Sequence, residues 1–181
     1  MGTGNLIAVG LRGLGVARHE LCVLSAAELP FLPPLTPQVR GAEARILYSV
    51  EGLRPLAGLA AARGLLIGDC FRILSGYIRC LLRARDCLLN TAHIGSDPAR
   101  SVFLRGAGGA EVLCLYAPDG WEGDLEKICR VAAFFAAQEG VLGARTAMGQ
   151  FIAHARRARP PLKACLKLCE SVQREWNYIN G

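Results

Sequence analysis

Asp97 in SDPAR and Asp119 in YAPDG are the residues of this chain nearest to catalytic carboxylates. Loop aspartates of this kind hold magnesium or receive a hydroxyl proton in phosphoryl transfer. That chemistry asks for several charges at once. It needs a lysine on an early strand for the phosphates, a helix glutamate to pair with it, and an Asp and an Asn for the metal. No lysine precedes Lys127, so the N-terminal part of the chain offers no ammonium to a phosphate. Positioning and charge stabilisation supply nearly all the catalysis in this reaction, and their joint loss leaves no useful rate. Asp97 then reads as a loop cap bonding the backbone amides ahead of Val102, and Asp119 as an Asp-Gly turn.

Other reactive types are present without partners in sequence. His19, His93 and His154 are isolated from one another. A Cys–His nucleophile assembled in space, such as Cys87 or Cys114 with His93, is a coincidence to be expected among eight cysteines. Cys165 and Cys169 share a helix face at i, i+4, but no second pair at C-x-x-C spacing completes a zinc site, so they read as core thiols. The glycines of GLRGLG (10–15) depart from G-x-G-x-x-G spacing and read as a hairpin turn. GAGGA (106–110) lies between two expected strands and offers no helix N-terminus to an anion. No catalytic residue, cofactor or metal is expected.

The elements that would position these groups belong to one folded unit. With 52% apolar and 20% charged residues, 181 residues bury a real core. The net charge of +6 raises the question of a polyanionic partner, but the basic groups are 18 Arg and 3 Lys, scattered apart from Arg156, Arg157 and Arg159. Without an accompanying motif, nucleic-acid binding is not the expected role. No apolar run reaches eighteen residues, so no membrane span is expected. The N-terminus MGTGNLIAVG lacks the regions of a secretory signal, and Leu6 stands where a myristoylation signal has Ser or Thr. The expectation is a cytoplasmic protein with reduced cysteines packed as small hydrophobes.

Along the chain, NLIAVG, HELCVL and ARILYSV read as strands, the first two as a hairpin. AELPFLPPLTPQV, with four prolines, is neither helix nor central strand. Pro55 opens a short helix that stops at Gly64, and Asp69 is the expected N-cap of the longest helix. There Cys70, Ile73, Leu74, Tyr77, Leu81 and Leu88 share one face, and Arg72, Arg79 and Arg83 the opposite one. SVFLR and EVLCLY form a strand pair. Asp124 caps a helix aligned on Leu125, Ile128, Cys129, Ala132 and Phe135, whose VAAFFAA part is covered on more than one side. Two more helices are divided by Pro160-Pro161, the last with a stripe of Leu162, Cys165, Leu166, Cys169, Val172 and Trp176.

A long helix, a polar corner and a strand pair in this order resemble the C-lobe of protein kinases, with the chemical groups missing. TAHIGSDPARSVFL has no H-R-D and lacks the metal-binding Asn, and Tyr116-Ala117-Pro118-Asp119-Gly120 stands in place of D-F-G. At YSVEGLRPL, SDPARSVFL and LCLYAP the chain also resembles a bacterial family of domains of unknown function from Gram-positive bacteria, usually found ahead of a forkhead-associated domain. Tyr48, Gly52 and Leu56 match its first block, Asp97, Pro98 and Phe103 its second, and Tyr116 and Pro118 its third. Ser49 replaces an Asp of the first block, and one extra residue separates Pro98 from Val102-Phe103. The resemblance covers about residues 20–155 and is similar in turn to the pseudokinase-like domain of the EssB/YukC component of type VII secretion. No forkhead-associated domain follows residue 181, so phosphothreonine recognition is not among the expectations.

The resulting expectation is an α+β, degenerate protein-kinase-like fold: a small β-rich N-lobe to about residue 50 and a helical C-lobe from about 51 to 181. It implies a non-catalytic scaffold that binds another protein through the crevice between the lobes or through the Arg72–Arg79–Arg83 face. One alternative is a divergent phosphotransferase using Asp97 or Asp119, with Arg45 supplying the cation. The other is a basic adaptor that holds nucleic acid or anionic lipid through RRARPPLK, residues 156–163.

Overall fold

Apolar residues of the 67–86 segment recur around most of a helix circumference, which requires that the helix be enclosed. In the computed structural model, which describes residues 6–11, 16–26, 28–40, 43–106, 109, 111–117 and 122–180, that segment is the central helix. We label the elements in chain order: β1 (Leu6–Gly10), α1 (Arg18–Ala26), β2 (Leu35–Arg40), β3 (Glu43–Ser49), β4 (Arg54–Pro55), α2 (Leu56–Arg63) and α3 (Ile67–Asp86). After a 3-10 turn (Thr91–His93) come β5 (Val102–Arg105), β6 (Glu111–Cys114), α4 (Asp124–Ala136), α5 (Ala144–Ala158) and α6 (Leu162–Asn180). The described residues thus make a mixed α+β fold of two small antiparallel sheets and six α-helices.

Cys70, Phe71, Ile73, Leu74, Tyr77, Ile78 and Leu81 of α3 are buried against α4, α6 and β6. The close approach of β6 depends on Gly76, since a Cβ there would stand 2.6 Å from Val112 Cγ2. The helix begins two residues before the expected cap. Leu66 occupies the cap position, and Asp69, in the first turn, accepts the Leu66 amide at 3.2 Å. It is the glutamate-like half of a capping box, without the serine. Leu88 also departs from expectation. The helix ends at Cys87, and Leu88 follows in left-handed backbone (φ 59°), 72% exposed.

The first sheet has the order β1-β3-β2, with Ile7 and Leu35 both opposite Tyr48. Ile46 and Tyr48 on the central strand are buried while Arg45 is exposed, as alternation on a half-covered sheet requires. Pro37 sits on the edge strand β2, where a missing donor is tolerated. The main correction concerns HELCVL. It is helix α1, not a strand: Glu20 and Leu24 face inward while Arg18, His19, Cys22 and Ser25 are exposed. That is a period near 3.6, hidden because its inward residue at 20 is an acid. The expected hairpin is therefore replaced by a strand, β1, followed by a helix, α1; residues 12–15, which hold two of the glycines of 10–15, lie outside the described set.

In the second sheet, β4-β5-β6, Pro55 lies opposite Phe103 and Val102 opposite Cys114. Pro55 precedes α2 as its cap, and α2 stops at Gly64, whose φ of +67° suits glycine. Asp124 opens α4 as its first residue, with Gly123 as the cap; its carboxylate meets Arg85 at 3.4 Å. α6 runs antiparallel to α3: Ser75 Oγ lies 3.4 Å from Cys169 Sγ, and Leu66 and Trp176 line one cavity at the far end. Buried side chains form one continuous set from Leu11 to Val172. No helix among the described residues is long and apolar enough to cross a membrane.

Candidate functional site

An acid in the first turn of a helix finds the free amides of that turn, and Glu20 does so: its Oε2 accepts the Ala17 amide at 2.9 Å. Because α1 packs inward, the carboxylate is carried to the junction between the first sheet and the loops that follow α3, where its side chain is 3% exposed. There Oε1 accepts the Asn90 amide at 2.6 Å and the Tyr116 hydroxyl at 2.9 Å. The same hydroxyl lies 2.7 Å from His93 Nδ1, and Nδ1 lies 3.8 Å from Glu20 Oε1. Tyr116 has one hydroxyl proton and donates it in the hydrogen bond to the carboxylate. His93 Nδ1 must therefore carry the hydrogen of the second bond, which assigns the tautomer of the neutral ring.

Two further residues clamp this cluster. Tyr48, on β3, donates its hydroxyl to the Tyr116 carbonyl and accepts the Tyr116 amide, both at 3.0 Å. Lys127, on α4 and 1% exposed, donates to the carbonyls of Thr91, Ala92 and Ile94 at 3.0, 2.5 and 2.6 Å. Its three N–H bonds thus meet three carbonyls at the end of the 3-10 turn, of which Thr91's also accepts the Ile94 amide at 3.1 Å. Asn90 caps the other end of that turn by accepting the Ala92 amide at 3.0 Å. The turn therefore hangs between a buried anion on α1 and a buried cation on α4.

Burial and hydrogen bonding set the charge states. Burial pushes the Glu20 carboxyl up, but the amides of Asn90 and Ala17 and the Tyr116 hydroxyl outweigh it and leave the group below its ordinary value. Burial holds His93 below its ordinary value, against the pull of Glu20 and with the help of Lys127. The Tyr48 and Tyr116 hydroxyls are raised, first by burial and for Tyr116 also by Glu20. Near neutral pH the cluster is an ionised carboxylate, two neutral phenols and a neutral imidazole. Such a chain can order a junction and respond to acid; enclosed among packed side chains, it is poorly placed to meet a substrate.

The structure brings several of the motif residues to this junction. Tyr48 and Tyr116 bind one another, Leu56 is fully buried, and the neighbouring Ala57 amide donates to the Pro98 carbonyl at 2.9 Å. Phe103 packs in the sheet opposite Pro55, and Gly52 turns the chain with φ +72°. Asp97 caps its own loop: Oδ1 accepts the Ala99 amide at 2.7 Å, and its carbonyl accepts the Ser101 and Val102 amides at 2.9 and 3.1 Å. Pro118 and Asp119 lie outside the described residues.

The arginine face is divided. Arg72 pairs with Asp69 at 2.8 Å and donates to the Gly109 carbonyl, and Arg79 approaches Glu170 at 3.8 Å; Arg83 is exposed. Arg45 Nε donates to Gln38 on the exposed side of the first sheet at 2.9 Å. Burial pushes the Cys70 thiol up to about 12, and Cys165 and Cys169 to about 11 each. Among the described residues no group of three His, Cys, Asp or Glu side chains is placed to hold a metal. The grouping of Glu20, His93 and Lys127 escaped sequence reading because 70 or more positions separate Glu20 from the other two. The one local signal was a lysine a turn before Val131, on the face that Ile128, Val131 and Phe135 bury. Comparison with protein-family models, curated proteins and solved structures found no match.

Proposed function

We propose that this chain is a non-catalytic, pseudokinase-like module that acts by binding another protein. The observation that carries the reading is the state of Glu20. A kinase-type helix glutamate pairs with a strand lysine that holds the nucleotide phosphates. Here the helix glutamate is bound by Tyr116, Asn90 and Ala17, and no lysine precedes Lys127. Lys127 itself is held by three carbonyls. Asp97, the acid nearest to a catalytic-loop position, turns back onto its own amides. The succession of strand, helix, three strands, short helix, long helix, strand pair and helices supports a kinase-like scaffold emptied of its chemistry.

The protein partner is assigned to the crevice side. An open cavity of about 730 Å³ lies between α1, the proline-rich 28–35 segment and Arg105 of β5. Its walls include Leu24, Leu29, Leu32 and Leu35, with Glu28 and Arg105 at the polar margin. The buried, protonated thiols suit a reducing compartment, and we assign the module to the cytoplasm, in a signalling or type VII secretion setting as the motif resemblance suggests. Thermal unfolding with and without ATP and magnesium tests the reading, run beside a phosphate-transfer assay. The expected result is no shift and no transfer. A Tm rise of several degrees with measurable transfer overturns the proposal.

A further inference from the structure

Two residues other than glycine, among those described, have positive φ: Leu88 (59°) and Arg159 (43°). Both follow helix C-termini, where glycine is the favoured residue and a side chain costs stability. At the end of α3 the Leu89 amide donates to the Ala84 carbonyl and the Leu88 amide to Arg85, both at 2.9 Å. This is a Schellman turn with leucine in the glycine position. Because α6 runs antiparallel to α3 and α5 leads directly into α6, both residues lie at the same end of the helical layer.

That end also carries unbalanced charge. Arg83, Arg157, Arg159, Lys163 and Lys167 are exposed, and none is paired with a carboxylate among the described residues. Arg156 stands apart, facing Glu122 and Glu126 across a small cavity. The acids of this end are Asp86, Glu122, Asp124, Glu126 and, one turn after Lys167, Glu170; Arg85 holds Asp124, Arg130 holds Glu122 and Arg79 approaches Glu170. Lys163 sits in the first turn of α6, which has no acid, so it opposes the helix dipole. Arg83 lies one turn beyond Arg79, which meets Glu170, and so stands beside the α6 turn bearing Lys167. Local stability favours glycine at 88 and 159 and acids at the start of α6; the chain places leucine and cations there instead.

We propose that this end docks onto the surface of an anionic phospholipid bilayer, with Leu88 entering the headgroup layer and the cations meeting lipid phosphates. A cluster of this size at one end of the helices suits a charged plane. The 156–167 segment has no aromatic side chain to stack on a base and no Asn or Gln to read one. The exposed leucine has a place in a bilayer interface and none against a phosphate backbone. The contact is peripheral and does not depend on the pseudokinase reading.

Cosedimentation of the full chain with vesicles tests it, using phosphatidylcholine alone against equal parts phosphatidylcholine and phosphatidylglycerol. Binding is expected on the anionic vesicles only, weakening as salt rises. Lys163→Gln with Lys167→Gln should lower the partition coefficient about 25-fold, at about fivefold per cation. Leu88→Gly should lower it several-fold while raising Tm by about 2–4 °C, because glycine suits that backbone. Weaker binding by a more stable protein cannot come from unfolding. Equal binding to both vesicles, no binding, or indifference to these substitutions overturns the proposal. So does tighter binding to duplex RNA or to an acidic peptide than to the anionic vesicles at the same salt.

Discussion

Replacing Glu20 by Gln changes almost no volume and removes one charge at the centre of the buried junction. The carboxylate accepts three hydrogen bonds, two at Oε1 from Asn90 and Tyr116 and one at Oε2 from Ala17. A glutamine oxygen can keep the first two, which then change from charge-assisted to neutral bonds at a loss of about 0.5–1.5 kcal/mol each. Its amide nitrogen faces the Ala17 N–H, donor against donor, leaving a partly buried amide unsatisfied at about 1–3 kcal/mol. The sum is about 2–6 kcal/mol, a large share of the roughly 5–15 kcal/mol that holds a domain together. Urea unfolding at pH 7 reads it directly.

A second readout comes from pH. Both Glu20 and His93 lie below their ordinary values of 4.5 and 6.5. The unfolded chain therefore binds more protons in each window, and stability falls with acid. The His93 contribution is complete above pH 6.5 and declines as pH drops toward the folded value. The Glu20 contribution is complete above about pH 4.5 and is lost below it. Glu20→Gln should flatten the lower limb and keep a decline below pH 6.5. His93→Gln should flatten the upper one. A Glu20→Gln protein within 0.5 kcal/mol of the parent, with an unchanged pH profile, would refute the assignment of Glu20 as the organising anion.

Lys127→Met keeps the length of the side chain but leaves the carbonyls of Ala92 and Ile94 without the ammonium, while that of Thr91 keeps only the Ile94 amide. A loss of about 2–4 kcal/mol in denaturant unfolding is expected, with faster hydrogen exchange across residues 90–95. Two glycines of α3 should respond with opposite sign. Gly68→Ala meets open space and gains about 0.5–1 kcal/mol from helix propensity. Gly76→Ala drives its Cβ into Val112 and costs about 1–3 kcal/mol, so the pair of urea midpoints checks how closely α3 approaches β6.

Helices α3, α5 and α6 and the pairing of β5 with β6 were legible because each is specified by a local period that its surroundings reinforce. Asp97 was legible too, since an Asx turn closes within two residues. Helix α1 was misread because the pattern of HELCVL has meaning only once Glu20 is known to be an inward residue. Its inward direction depends on Tyr116 and Asn90, far along the chain. Leu88 was assigned to the buried face because period alone does not say where a helix stops; the left-handed turn after Cys87 decides that.

Chemistry separates along the same line. The lack of any lysine before Lys127 is a property of composition, and no folding can alter it. That Lys127 is closed onto three carbonyls, and that Glu20, Tyr116 and His93 form one hydrogen-bonded chain, follows from contacts across 23 to 96 positions. Side-chain types and short periods are written residue by residue. A buried charge finds its partners only when packing removes water from both, so that pairing belongs to the tertiary structure.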